Sequence, residues 1–136
     1  MPHYIEYRVY YEDTDAGGIV YYANYLKFAE RARTEMLRAA GINQSALRND
    51  QNLGFVVRRA SIELFKPARL DDMLRIESSV EEMSGTSITM VQHIFCGECK
   101  LSSIAVLIVL VDCNLLKPKR ISEEIRNKFT QYALLE

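Results

Sequence analysis

The hydrophobic periodicity changes along this chain, and that change limits the possible folds more than any other feature. Between Tyr25 and Ala40 apolar residues recur at three- and four-residue spacing, with charged residues mostly between them, which predicts one long amphipathic helix. Gly41 is well placed to end it. Five other segments are rich in β-branched and aromatic residues and predict strands: residues 4–10, 55–65, 74–82, 87–95 and 101–112.

The connectors between these segments define the topology. The last four predicted strands are joined by short turns, which indicates antiparallel neighbours. Residues 42–54 are polar, with a short helical turn expected around residues 45–48. A terminal helix is predicted to about residue 132, with Ser122 as its N-cap. The sequence therefore predicts an α+β fold in one domain, residues 1–136, with the long helix on one face of an antiparallel sheet.

Composition excludes several classes of function. The 17 basic and 18 acidic residues are nearly balanced and form no block of like charge, which argues against binding to nucleic acid. The longest apolar run, "IAVLIVLV" at residues 104–111, is too short for a transmembrane helix, and the N-terminus has no secretory signal pattern. We therefore expect a cytoplasmic protein. The same run is apolar on both strand faces, which predicts a homo-oligomer that buries more of it.

The cysteines favour a structural interpretation. Three cysteines are an odd number, which argues against a disulfide framework. Cys96 and Cys99 form a C-x-x-C motif near His93, but no second cysteine pair completes a zinc site. In the strand prediction these two cysteines flank a two-residue turn and face each other across a hairpin. We expect neither a metal nor a cofactor.

The segment "EDTDAGGIVYY", residues 12–22, carries the most informative chemistry. It starts like a calcium loop but has Asn24 where a bidentate Glu is needed, and it lacks a phosphate-loop pattern. What remains is a carboxylate beside a helix N-terminus, whose free N–H groups could polarise a carbonyl oxygen as an oxyanion hole does. An Asp on the other side could attack a thioester or activate water. Turn formation is the alternative role for Asp13 and Asp15.

Two longer segments resemble one enzyme family. "RVYYEDTDAGGIVYYANYLKFAERARTEML", residues 8–37, and "FVVRRASIELFKPARLDDMLRIESSV", residues 55–80, resemble the hotdog-fold thioesterases of the 4-hydroxybenzoyl-CoA thioesterase type. Within that type they resemble the Tol-Pal-associated acyl-CoA thioesterases of bacteria. The resemblance implies a five- or six-stranded antiparallel sheet wrapped around the long helix, and assembly as a homodimer or homotetramer. The implied partners are acyl-CoA and, as an alternative, an acyl-carrier protein.

The resemblance also implies roles for individual residues. The family's catalytic aspartate falls on Asp15, as nucleophile or general base, and its carbonyl-polarising backbone N–H falls at or near Tyr22. Gly17 and Gly18 would let the backbone approach the thioester closely. The subgroup commonly has His where this chain has Tyr22, an exchange that leaves a backbone donor in place. The candidates for binding the CoA phosphates are basic: Arg58, Arg59, Lys66 and Arg69.

Two alternatives stay open at this point. The first is a binding module that holds acyl-CoA, an acyl-carrier protein or an envelope-associated partner without turning it over. The second keeps the fold but moves the base, because some hotdog thioesterases use a Glu on the central helix, where Glu30 and Glu35 are available.

Overall fold

The computed structural model describes residues 1–134, which form one antiparallel sheet, three α-helices and a short 3₁₀ helix at Tyr11–Asp13. The strands are β1 (His3–Arg8), β2 (Leu53–Leu64), β3 (Met73–Met83), β4 (Ser87–Cys96) and β5 (Cys99–Asp112). The helices are α1 (Asn24–Ala39), α2 (Gln44–Gln51) and α3 (Glu123–Thr130). The sheet order is β1-β3-β4-β5-β2, and all neighbouring strands are antiparallel. The predicted α+β fold, with a long helix against a five-stranded sheet, is confirmed.

Helix α1 packs its apolar face on the sheet. The buried residues Tyr25, Phe28, Ala29, Ala32 and Met36 recur at helical spacing, as the sequence predicted. The helix lies mainly over β1 and β3 and makes few contacts with β5. Strand β2 is the last strand in the sheet order, so its outer edge is unpaired within residues 1–134.

The helices and strands begin and end close to the predicted positions. Strand boundaries differ from the predicted ones by at most two residues at either end. The Ser122 hydroxyl accepts the Ile125 N–H at 3.2 Å and caps α3, as predicted, but the helix ends at Thr130 rather than near residue 132.

Helix α2 is longer than the single turn expected around residues 45–48. The Asn43 side chain caps its start by accepting the Ala46 N–H at 3.0 Å, and Asn52 ends it in the left-handed region at φ 57°. These caps at both ends explain why a polar segment forms a full helix. Among residues 1–134, no helix is both long and apolar enough to span a bilayer.

Candidate active site

The loop between β1 and α1 is a tight, internally hydrogen-bonded turn. The Asp15 N–H donates to the Ile19 carbonyl at 2.8 Å, and the Gly18 N–H donates to the Asp15 carbonyl at 3.0 Å. Gly18 has φ +80°, in the left-handed region that glycine enters without steric cost. These contacts place residue 15 at a fixed corner of the loop.

The two aspartates of this loop have different surroundings. Asp13 accepts the Tyr10 N–H at 2.9 Å through its carboxylate, and its carbonyl accepts the Asn24 side-chain amide at 2.8 Å. The Asp15 carboxylate is exposed, and its only hydrogen bond within residues 1–134 comes from the Gly17 N–H at 2.8 Å. Asp13 is thus engaged in shaping the loop, whereas one oxygen of Asp15 is free to act on a substrate.

Gly17 lies against the Asp15 carboxylate. A Cβ atom at this position would be 3.2 Å from Oδ1 of Asp15, closer than side chains normally pack. Glycine is therefore needed here for space beside the carboxylate, whereas Gly18 is needed for its backbone conformation.

The N-terminus of α1 leaves backbone donors free. The first helical N–H, that of Asn24, donates to the Tyr21 carbonyl at 2.8 Å, and the N-cap residue Ala23 has no capping side chain. Within the described part of the chain, the N–H groups of Tyr22 and Ala23 have no acceptor. Tyr22 lies in the turn just before the helix, so its N–H and that of Ala23 are the available carbonyl-binding donors at this end.

One cavity of about 310 Å³ brings the carboxylate and these donors together. Asp15 and Tyr22 both line it, and the end of β2 forms its opposite wall. The wall is fixed by Tyr25, whose buried hydroxyl accepts the Ala68 N–H at 3.0 Å. Burial raises the pKa of Tyr25, so its phenol stays neutral. The remaining lining residues are Ile19, Val20, Leu64, Phe65, Lys66 and Pro67.

The basic residues proposed for CoA do not form one cluster. Lys66 lines the cavity, and Arg69 forms an isolated β-bridge with Ile19 on the loop between β1 and α1. Arg58 lies at a β-bulge in β2, next to Arg59, and neither residue lines the cavity. The structure thus places Lys66 and Arg69 near Asp15 and leaves the other two on the sheet edge.

Several cavity residues were not identified from the sequence as site residues. The sequence pattern places Tyr25 only in the helix core and Leu64 and Phe65 only in a strand, whereas all three line the cavity. The turn "FKPA" at residues 65–68 is the sequence signal that could have identified Leu64 and Phe65 as site residues. It follows β2 directly, and turns at strand ends often carry binding residues.

The cysteine pair has the predicted hairpin geometry. Cys96 and Cys99 are directly opposite in the register of β4 and β5, and both are free thiols. No group of three or more His, Cys, Asp or Glu side chains in residues 1–134 is arranged to hold a metal ion.

Comparison with known proteins gives consistent matches. The model of the thioesterase superfamily matches residues 17–103, a region that begins two residues after Asp15. The acyl-CoA thioester hydrolase YbgC of Escherichia coli O6:H1 is 49% identical over 125 residues, which cover 91% of this chain and 92% of the relative. The acyl-CoA thioesterase YbgC of Haemophilus influenzae is 43% identical over 122 residues, or 90% of each chain.

Solved structures agree with these matches. The crystal structure of a probable thioesterase from Bartonella henselae superimposes with a TM-score of 0.86 at 38% identity and covers 90% of this chain and all of its own. A hypothetical protein from Aquifex aeolicus superimposes with a TM-score of 0.88 at 30% identity, over 94% of this chain and 99% of its own.

Proposed function

The chain belongs to the thioesterase superfamily and is a thioester hydrolase, and on that premise we propose that it hydrolyses acyl-CoA to the free acid and CoA at Asp15. The observation that carries the proposal is that Asp15 and Tyr22 line one cavity. The acyl-CoA substrate is supported by the names of the Escherichia coli and Haemophilus influenzae relatives.

The proposed chemistry uses the two sides of the cavity. The thioester carbonyl oxygen accepts the free N–H of Tyr22, and that of Ala23 lies next to it. Negative charge that develops on this oxygen is stabilised by the donors and by the helix N-terminus. If the Asp15 carboxylate attacks the carbonyl carbon, the thiolate of CoA leaves and water then hydrolyses the mixed anhydride, which releases the acid and regenerates the carboxylate. If Asp15 instead removes a proton from the attacking water, the tetrahedral intermediate expels the thiolate, and the proton on Asp15 passes to that thiolate. Because the donor is backbone, Tyr22 does not need the imidazole of a histidine.

The CoA part is proposed to lie along the mouth of the cavity near Lys66 and Arg69. An ammonium and a guanidinium group bind phosphate oxygens well. Lys66 is supported by its place in the cavity lining, and Arg69 by its bridge to the catalytic loop. Arg58 and Arg59 lie on the edge strand β2 and outside the cavity, so they would contact CoA only where it extends along that edge.

We further propose that β2 pairs with β2 of a second copy to form a dimer, or a tetramer built from dimers. Strand β2 is 12 residues long and lies at the edge of the sheet. Its residues Val56, Val57 and Leu64 are 41%, 50% and 51% exposed. A long apolar edge strand of this kind tends to form hydrogen bonds with a strand of another chain. A two-fold axis through the edge would make the two β2 strands antiparallel.

The subgroup and compartment are also proposals. Membership of the Tol-Pal-associated subgroup is supported by the resemblance of residues 8–37 and 55–80, and acyl-carrier protein is a second proposed partner. The proposed compartment is the cytoplasm, which the three free cysteines support.

The experiment that tests the catalytic proposal is thiol release from short aliphatic, long aliphatic and aromatic acyl-CoAs. We expect Asp15→Asn to lower kcat about 100-fold or more, because the amide is neither a nucleophile nor a base. Asp13→Asn is the matched control, since its amide oxygen can still accept the Tyr10 N–H, and it should keep nearly wild-type activity.

Two results would contradict this proposal. If Asp15→Asn hydrolyses acyl-CoA at the wild-type rate and Glu30→Gln is inactive, the general base is Glu30 on helix α1 and not Asp15. Tight acyl-CoA binding by the wild type without thiol release would make the protein a binding module.

A further inference from the structure

The hairpin between β4 and β5 ends in two cysteines that lie opposite each other. Cys96 is the last residue of β4 and Cys99 is the first of β5, with only Gly97 and Glu98 between them. The two cysteines are paired in the strand register, and both are free thiols. Gly97 has φ +60°, which fits the two-residue turn of a tight hairpin. The reaction proposed at Asp15 uses neither thiol.

The pairing brings the two side chains within reach of a disulfide. Directly opposite residues of antiparallel strands have side chains on the same face and Cα atoms about 4.5–5.5 Å apart. A disulfide joins Cα atoms about 4.4–6.8 Å apart, so the backbone already has a suitable separation. The Cβ atoms of such pairs are about 4.5–5.5 Å apart, whereas a disulfide holds them at about 3.5–4.5 Å. Oxidation would therefore narrow the end of this hairpin.

The surroundings of the pair set how fast it reacts. Both cysteines are partly buried and pack against the hydrophobic core. Burial raises the pKa of the Cys96 thiol, and the Asp72 carboxylate and the Cys99 thiol raise it further. A higher pKa leaves less thiolate at neutral pH, and the thiolate is the reactive form. The pair should therefore react slowly at neutral pH and faster as the pH rises.

A disulfide at this position would be easy to reduce. It would close a loop of only four residues, and short loops give a disulfide little entropic stabilisation. The narrowing of the hairpin also strains the bond, and strained disulfides have more oxidising potentials than structural ones. Small thiols would therefore reduce it, so the site would respond to the surrounding redox balance.

The hairpin is hydrogen-bonded to the wall of the Asp15 cavity. Leu101, two residues after Cys99, has a carbonyl that accepts the Phe65 N–H at 2.8 Å and the Lys66 N–H at 3.2 Å. Phe65 and Lys66 both line the cavity that contains Asp15. A movement of the hairpin end at Cys99 is thus transmitted to two residues of the candidate active site.

We propose that Cys96 and Cys99 form a reversible oxidation site whose disulfide displaces the Leu101 carbonyl and loosens the cavity wall at residues 65–66. The oxidant is a low-molecular-weight disulfide such as oxidised glutathione. One cysteine thiolate attacks its S–S bond and releases one glutathione, and the other thiolate then attacks the bound cysteine sulfur and releases the second. The cysteines lose two electrons and two protons, which the two glutathione molecules gain.

Formation of the disulfide is tested without substrate. The full chain is equilibrated with mixtures of reduced and oxidised glutathione, its remaining thiols are alkylated, and its mass is measured. We expect the wild type to lose the mass of two hydrogen atoms and two alkylatable thiols, and to regain both in excess reduced glutathione. Cys99→Ser should form no internal disulfide. Cys113→Ser is the matched control, because Cys113 follows the opposite end of β5, and it should oxidise like the wild type.

The effect on the cavity wall has its own measurement. Amide hydrogen exchange at Phe65 and Lys66 should become about threefold faster or more in the oxidised wild type, because their bonds to Leu101 weaken. The same treatment should leave exchange in Cys99→Ser unchanged. We also expect kcat/KM for acyl-CoA to fall about threefold or more on oxidation, since small displacements in an active site are costly. Thioester absorbance should be followed, because thiol reagents would modify the cysteines.

Two results would overturn the inference. The first is a wild type that forms no internal disulfide at any glutathione ratio. The second is a disulfide that forms without a change in hydrogen exchange at residues 65–66. The effect on kcat/KM rests on the proposed function, whereas mass and hydrogen exchange do not. Absence of hydrolysis by the reduced wild type would therefore refute the proposed function and leave the oxidation site to be decided by those two measurements.

Discussion

At the scale of single residues, the position of the Asp15 carboxylate depends on the absence of a side chain at Gly17. A methyl group there would lie 3.2 Å from Oδ1, so the carboxylate or the loop would move by a few tenths of an ångström. We expect Gly17→Ala to lower kcat about tenfold, because small misplacements of reacting groups are costly. Its free energy of unfolding should change by less than about 0.5 kcal/mol, because the site is exposed.

Gly85→Ala is a suitable control for this substitution. The added Cβ would lie 3.7 Å from Nη1 of Arg120, an ordinary contact, and Gly85 is remote in sequence from the loop that carries Asp15. Measurements of kcat and urea unfolding curves for both variants test whether Gly17→Ala lowers activity without loss of stability. Equal kcat for Gly17→Ala and the wild type would show that the carboxylate position does not depend on this glycine.

At the scale of elements, helix α3 shows how one local contact supports packing. Its N-cap, Ser122, accepts the Ile125 N–H at 3.2 Å, and the helix buries Ile125 and Phe129. We expect Ser122→Ala to lower the free energy of unfolding by about 0.5–2 kcal/mol, with an unchanged m-value in urea. Ser122→Asp should retain most of the stability because its carboxylate also caps. Equal losses in both variants would show that the cap does not support α3.

At the scale of the whole molecule, the open β2 edge is the feature that most affects assembly. A lysine on an edge strand opposes pairing with a second strand. We therefore expect the wild type to have the mass of two or four chains in light scattering, and Val56→Lys to shift it toward a single chain at low protein concentration.

Tyr4→Lys is the matched control, since Tyr4 is 50% exposed on β1, the opposite edge of the same sheet. It should leave the mass unchanged. A wild-type protein that stays a single chain at every concentration would contradict the proposed dimer.

The sequence by itself determined the elements and the loop chemistry. Helix α1, the strand segments and the Ser122 cap follow from patterns within a few residues of each other, because hydrogen bonds and side-chain periodicity in single elements are local. The caps of α2, Asn43 and Asn52, are equally local, but the prediction of a single turn at residues 45–48 does not include them. The clustering of three carboxylates and two glycines within residues 12–18 also indicates a candidate site without any tertiary information.

Only the tertiary structure decided what surrounds those residues. The sheet brings residues 64–67 to Asp15 and joins Arg33 to Gln92 across 59 positions of the chain. The order β1-β3-β4-β5-β2 also leaves the outer edge of β2 unpaired within residues 1–134. Strand pairing sets these contacts, and a single sequence contains no local pattern that specifies which distant side chains pairing will bring together.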